Sequence, residues 1–178
     1  MKGPGMQYLA AVLFDDGQDI DGLLAAFCRQ RFREGLRVRG VLQSRQATSS
    51  ECHCSDMDLR AIGSGEIFRI SQSLGSGSYG CRLHPGALAA CSAYLEEQLE
   101  ERDDLLLLNR FGKGESEGRG FRDLICASLA LGTPVLLAVR PTYLEAWEQF
   151  SDRYGATLPF DLSAVEGWHN SLVQRHVA

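Results

Sequence analysis

Asp104-Leu-Leu-Leu-Leu-Asn-Arg-Phe-Gly-Lys-Gly-Glu-Ser-Glu-Gly-Arg-Gly120 is the stretch whose reading decides the fold. Its first part, Leu105–Leu108, is an unbroken apolar run bounded by Asp104 and Asn109, as expected of a strand covered on both faces of a sheet. Its second part is polar, carries glycine at 112, 114, 118 and 120, and gives way to a helical pattern over Phe121–Leu131. A buried strand that runs into a glycine-rich loop and then a helix is a unit of an open, mainly parallel α/β sheet. In such sheets ligands bind beyond the carboxyl ends of the strands.

The flanking sequence repeats this unit. Tyr8–Phe14 is a second near-continuous apolar run, followed by the acidic turn Asp15-Asp-Gly-Gln-Asp-Ile-Asp21 and a helix marked by Leu23, Leu24, Phe27 and Cys28. Gly35 closes that helix, and Leu36–Gln43 reads as the next strand. Met57–Ile62 and Glu66–Ser73 flank Gly63-Ser-Gly65 and read as a β-hairpin, an antiparallel addition at one sheet edge. Pro85 opens a helix running to about Arg102, in the first-turn position where its missing N–H costs nothing. Gly132 and Pro134 frame the turn into a strand at Val135–Val139. Pro141 starts a helix to about Tyr154, with Trp147, Phe150 and Tyr154 on one core-facing side, and a short extended piece then leads to a terminal helix. The expected fold class is therefore α/β, a three-layer, mainly parallel sheet with an edge β-hairpin, in one domain spanning residues 1–178 with residues 1–6 as a disordered leader.

Composition narrows the function classes. The net charge of −5 lacks the basic excess of a general nucleic-acid binder, and no apolar run approaches the ~20 residues needed to span a bilayer. The first residues have no apolar core of a secretory signal, so the expected compartment is the cytoplasm. Of the six cysteines, Cys28, Cys91 and Cys126 fall at apolar-periodic helix positions and read as small buried hydrophobes with reduced thiols.

The acidic turn stands where a phosphate-binding loop would. Such a loop needs Gly-x-x-x-x-Gly-Lys-[Ser/Thr], with backbone N–H groups and the lysine on phosphate and the hydroxyl on magnesium. Gly17 and Gly22 keep the glycine spacing, but Leu23 and Leu24 replace the lysine and the hydroxyl. Asp15, Asp16, Asp19 and Asp21 put carboxylates where a triphosphate would sit. One or two of them can cap the helix, and paired aspartates such as Asp15 and Asp16 also suit magnesium or calcium.

Together these landmarks resemble the thermophilic-type nucleoside triphosphatases, small P-loop proteins with an edge hairpin. In that family the strand after the long helix ends in Asp-Glu-x-Gly-Lys-x-Glu. Here Gly112, Lys113 and Glu115 match, while Asn109 and Arg110 replace the acids that would coordinate magnesium and activate water. The chain more closely resembles an uncharacterised bacterial family, a domain of unknown function encoded beside molybdate-uptake genes. The resemblance rests on Asp15-Asp-Gly17, Cys54-x-Asp-Met-Asp-Leu59, Ile70-Ser-Gln-x-Leu-Gly75, Gly80-Cys-Arg-Leu83 and Asn109-Arg-Phe-Gly112. It implies a P-loop-like fold with degenerate motifs and a setting in molybdate or molybdenum-cofactor metabolism.

Two further constellations carry chemistry. Arg110, Lys113, Arg119 and Arg122 surround glycines that let backbone amides approach an oxyanion, and forked guanidinium groups suit tetrahedral oxyanions such as phosphate or molybdate. Glu115, Glu117 and Asp123 could instead neutralise them, or the basic loop could pair with Asp15–Asp21 across the sheet edge. Cys52, Cys54, Cys81 and His84 are soft ligands suited to tetrahedral zinc, and free or redox-paired thiols are the competing reading. His53 has no evident carboxylate to orient it, and no Gly-x-Ser-x-Gly elbow marks a serine hydrolase.

The expected function is a non-hydrolysing P-loop-fold relative that binds a small anionic ligand or partner. The binding set is Asp15, Asp16, Asn109, Arg110, Lys113, Arg119 and Arg82, with no catalytic residue. The alternatives are a divergent nucleoside triphosphatase or nucleotide kinase that uses magnesium at the Asp loop, and an interaction module dimerising through its edge hairpin.

Overall fold

The computed structural model describes residues 7–45, 57–72 and 82–173. Expectations for the 1–6 leader, Cys52, His53, Cys54 and Cys81 fall outside the described residues, as does the side chain of Arg82. The chain runs β1 (Leu9–Leu13), α1 (Ile20–Arg33), β2 (Val38–Arg45), β3 (Met57–Ala61), β4 (Ile67–Arg69), β5 (Ser71–Gln72), β6 (Arg82–Leu83) and α2 (Pro85–Gln98). It continues through β7 (Leu105–Phe111), α3 (Lys113–Ser116), α4 (Arg122–Ala130), β8 (Val135–Val139), α5 (Leu144–Ser151), β9 (Gly155–Leu158) and α6 (Leu162–Val173). Short 3-10 turns flank α5, at Pro141–Tyr143 and Asp152–Tyr154.

Seven strands form one sheet in the order β4-β3-β2-β7-β8-β1-β9. The pairs β2–β7, β7–β8, β8–β1 and β1–β9 are parallel, whereas β3 and β4 are the expected antiparallel hairpin at the edge beyond β2. Helices cover both faces, which is why the central strands are apolar along their whole length. Leu106, Leu108, Leu137 and Val139 face Leu88, Cys91, Leu124 and Trp147 from α2, α4 and α5. Leu105, Leu107, Leu136 and Ala138 face Ile20, Leu24, Phe27 and Val165 from α1 and α6. The result is the expected three-layer α/β architecture. No helix among the described residues is long and apolar enough to cross a membrane.

Several element ends differ from the sequence reading. β7 does not stop at Leu108 but carries Asn109, Arg110 and Phe111 in the strand, so the loop begins at Gly112. β2 is displaced to Val38–Arg45, α2 ends at Gln98, and β5 leaves the hairpin to pair with β6. Tyr154 is exposed rather than in the core, because the helix that would have buried it ends at Ser151. Cys28 and Cys91 are buried, with burial pushing their thiols up to about 11 and about 12 respectively. Cys126 is instead exposed.

Candidate functional site

The parallel strands β1, β2, β7 and β8 end at one edge of the sheet, and the polar residues after them converge there. The turn between β1 and α1 is held by its own groups. The Asp15 N–H donates to Gln18 Oε1 at 2.8 Å, and the Gly22 N–H to Asp19 Oδ1 at 3.0 Å. The N–H groups of Gln18, Ile20 and Leu23 bond carbonyls of Asp15, Gln18 and Asp19. Asp19 is thus the cap of α1, and a Cβ at Gly22 would run into its carboxylate. The amides of Asp15, Gln18, Ile20, Gly22 and Leu23 are thus closed on the turn itself and do not point to a ligand.

Arg110 and Arg140 lie across this turn. Arg110 Nη2 is 3.2 Å from both carboxylate oxygens of Asp21, and Arg140 Nη1 is 3.0 Å from Asp16 Oδ1. Their guanidinium carbons sit 5.3 and 5.5 Å from the ring centroid of Phe14, at the end of β1, within cation–π range. The acidic and basic loops therefore share one edge as expected, and Arg110 meets Asp21 of the acidic turn there. Helix α1 begins at Ile20, which brings Asp21 into its first turn beside the end of β7. A cavity of about 490 Å³ remains here, lined by Phe14–Asp21, Arg110 and Arg140.

A β-bulge directs the next residues. Leu107 and Arg110 of β7 register with Leu136 and Ala138 of β8, so β7 carries one extra residue. Asn109 meets β2, its Nδ2 donating to Gln43 Oε1 at 2.7 Å, while Arg110 meets α1 through Asp21. Asn109 is 5 % exposed, and its Oδ1 is buried with no hydrogen-bond partner.

Glu115 organises the segment after β7. This carboxylate is buried and accepts the Gly112 N–H at 3.0 Å and the Phe121 N–H at 2.9 Å. Arg122 Nε donates to the Glu115 carbonyl, and its guanidinium stacks on Phe150. Lys113 is exposed, 3.9 Å from Glu117, which also binds Arg119. Arg119 lines neither cavity at the sheet edge. Lys113 lines a second cleft of about 380 Å³ with Asn109, Arg110 and Arg140.

Arg140, Gln43, Phe14 and Tyr143 line the second cleft and were not singled out from sequence. Arg140 had a signal, since it directly follows the apolar run of β8 as Arg110 follows that of β7. Gln43 had none, because its partner Asn109 is distant in the chain. His84 Nδ1 accepts the Ala87 N–H as the cap of α2, leaving only Nε2 to meet a metal. Among the described residues no cluster of three or more His, Cys, Asp or Glu side chains is arranged to hold a metal ion.

Three comparisons bear on this arrangement. Residues 9–168 match a family described as protein of unknown function, DUF2478. The chain is 35 % identical over 160 residues to molybdenum import ATP-binding protein ModC 2 of Bradyrhizobium diazoefficiens, covering 90 % of this chain and 18 % of that one. The chain thus spans about a fifth of that relative's length. Among solved structures, the solution structure of a human cancer-related nucleoside triphosphatase superposes with a TM-score of 0.64 over 95 % of each chain. At 13 % identity this likeness shows the fold alone, a shared three-layer α/β architecture.

Proposed function

The chain belongs to the DUF2478 family, and from that premise we propose that it is a non-hydrolysing P-loop-fold protein that binds a small anionic ligand at the carboxyl edge of its sheet. The setting we propose is molybdate or molybdenum-cofactor handling, by similarity to a molybdenum import protein. The observation that carries the reading is the closed β1–α1 turn crossed by Arg110 and Arg140. Cations stand at the sheet edge, while the amides of Asp15, Gln18, Ile20, Gly22 and Leu23 are bonded within the turn.

Arg110, Lys113 and Arg140 supply the positive charge, and their position at the ends of β7 and β8 directs it into the cleft. A tetrahedral oxyanion bound there is held by forked, charge-assisted hydrogen bonds. Asp15 and Asp16 line the neighbouring cavity, where they exclude a second polyanion or hold a cation beside the first. Catalysis of phosphoryl transfer needs a loop lysine, a magnesium ligand and a group that positions water. Leu23, Leu24 and the Asn109-Arg110 pair supply none of these, and one lost preorganised donor is worth ~10²–10³ in rate.

The test has two arms. Molybdate or phosphate should raise the melting temperature, and substituting Arg110 and Lys113 by Ala should abolish the shift while circular dichroism stays unchanged. Purified protein with magnesium should hydrolyse ATP and GTP negligibly. Turnover at ordinary nucleoside-triphosphatase rates, lost on Lys113→Ala, would replace this reading with a divergent enzyme.

A further inference from the structure

The cleft beside Arg110 contains a feature that anion binding leaves unexplained. Asn109 is almost fully buried, donates through Nδ2 to Gln43 Oε1, and leaves Oδ1 without a partner. A buried carbonyl without a donor carries a cost of about 1–3 kcal/mol, and native proteins pair nearly all such groups. Gln43 uses its carbonyl on Asn109 and lines the same cleft, so its NH2 is the other polar group of the pair. The amide pair at the cleft wall therefore holds one buried, unpartnered acceptor and one donor. Reversing both amides exchanges their roles but again leaves one acceptor and one donor.

Besides the cations, the wall has an apolar part: Leu59, Ile70, Leu88, Phe111 and Phe121 line the cleft with the amide pair. The volume of about 380 Å³ is within the ~300–1,000 Å³ of small-molecule sites, which combine apolar walls with a few placed polar groups. A hydrated inorganic anion has no use for such walls. A planar ring with an adjacent donor and acceptor on one edge satisfies both amides and buries its faces against the apolar side chains.

We propose that this cleft takes a planar nitrogen heterocycle of the purine type, read at its donor–acceptor edge by Asn109 and Gln43, with an anionic substituent reaching Arg110 and Lys113. The site lies beside the β1–α1 turn, over β7 and β2, and not in the position of a phosphate cradle. The inference rests on the anion-binding reading for the substituent alone; the ring contacts stand on the amide pair.

Isothermal titration calorimetry with AMP, GMP, purine riboside 5′-monophosphate, ribose 5-phosphate and inorganic phosphate tests it. AMP or GMP should bind at least tenfold more tightly than ribose 5-phosphate, and purine riboside monophosphate, which lacks the exocyclic donor, should lose most of that gain. Asn109→Leu should abolish the preference for AMP or GMP and leave the affinity for ribose 5-phosphate unchanged. If Asn109→Leu fails to fold, Leu88→Trp, which fills the cleft from α2, should exclude the nucleotides and spare phosphate. Equal affinities for all phosphates, or a preference that survives Asn109→Leu, would overturn the ring site. No binding of phosphate or ribose 5-phosphate, with adenosine or guanosine still bound, would overturn the anion reading and keep the ring site.

Discussion

His169 on α6 is buried against α1, with Nε2 3.0 Å from the Asp104 carbonyl and Nδ1 3.5 Å from Arg31 Nη1. A carbonyl only accepts, so Nε2 carries the proton and Nδ1 accepts from the guanidinium. Desolvation lowers the imidazole pKa, and the nearby Arg31 charge adds to the shift against the opposing Asp104 carbonyl bond. In the unfolded chain the ring protonates near ~6.5, whereas in the folded protein it does so only at lower pH. Between these values the unfolded state binds more protons, so stability should fall as pH drops through ~6.5 and level off below the folded pKa. Urea midpoints measured from pH 8 to pH 5 should show this loss, and the His169→Gln variant should show a shallower slope. Equal slopes would mean that the carboxylates alone set the pH dependence. The Arg31 contact was not legible in the sequence, since Arg31 lies 138 positions away.

At the scale of the element, the short turn after β7 depends on one carboxylate. Glu115 accepts two backbone N–H groups, and Glu115→Ala would leave those of Gly112 and Phe121 without a partner. Each orphaned group costs about 1–3 kcal/mol, so a loss of a few kcal/mol is expected in chemical denaturation, while Glu115→Gln, whose single carbonyl oxygen can accept only one of the two N–H groups, should recover only part of it. Gly120 lies at φ +66°, and a Cβ there would run into Glu115 Oε1, so Gly120→Ala should be destabilising by strain and collision together. The glycine spacing of this segment was plain in the sequence and was read as an approach for oxyanions. At Gly112 and Gly120 the group that approaches is the Glu115 carboxylate, a partner within the segment itself. The apolar run Leu105–Leu108 was equally plain, but its continuation through Asn109 and Arg110 was hidden, since their polar partners sit on β2 and α1.

Across the whole molecule, Asp21 and Arg110 tie the first helix to the central strand. Both are half-buried, and exposed or half-exposed pairs contribute little more than ~1 kcal/mol. A double-mutant cycle on Asp21→Asn and Arg110→Gln should give a coupling of about 0.5–1 kcal/mol that shrinks in high salt. Coupling near zero at low salt would show that the two loops are held in place by packing alone.

Periodicity and punctuation in the sequence determined the layer order: apolar runs for doubly covered strands, Pro85, Pro141 and Gly35 for helix ends, and a glycine turn for the edge hairpin. These are local signals, because burial on both faces and turn stereochemistry depend on neighbouring residues. The sequence also exposed the missing lysine and hydroxyl after Gly22, which are absences at fixed spacing. Only the tertiary structure decided which carboxylate meets Arg110, that Arg140 joins it over Phe14, and that Asn109, at the cleft wall, keeps a buried acceptor without a partner. Each of these depends on which strands lie side by side and on a one-residue bulge, and both are fixed by long-range pairing that no local window of the chain contains.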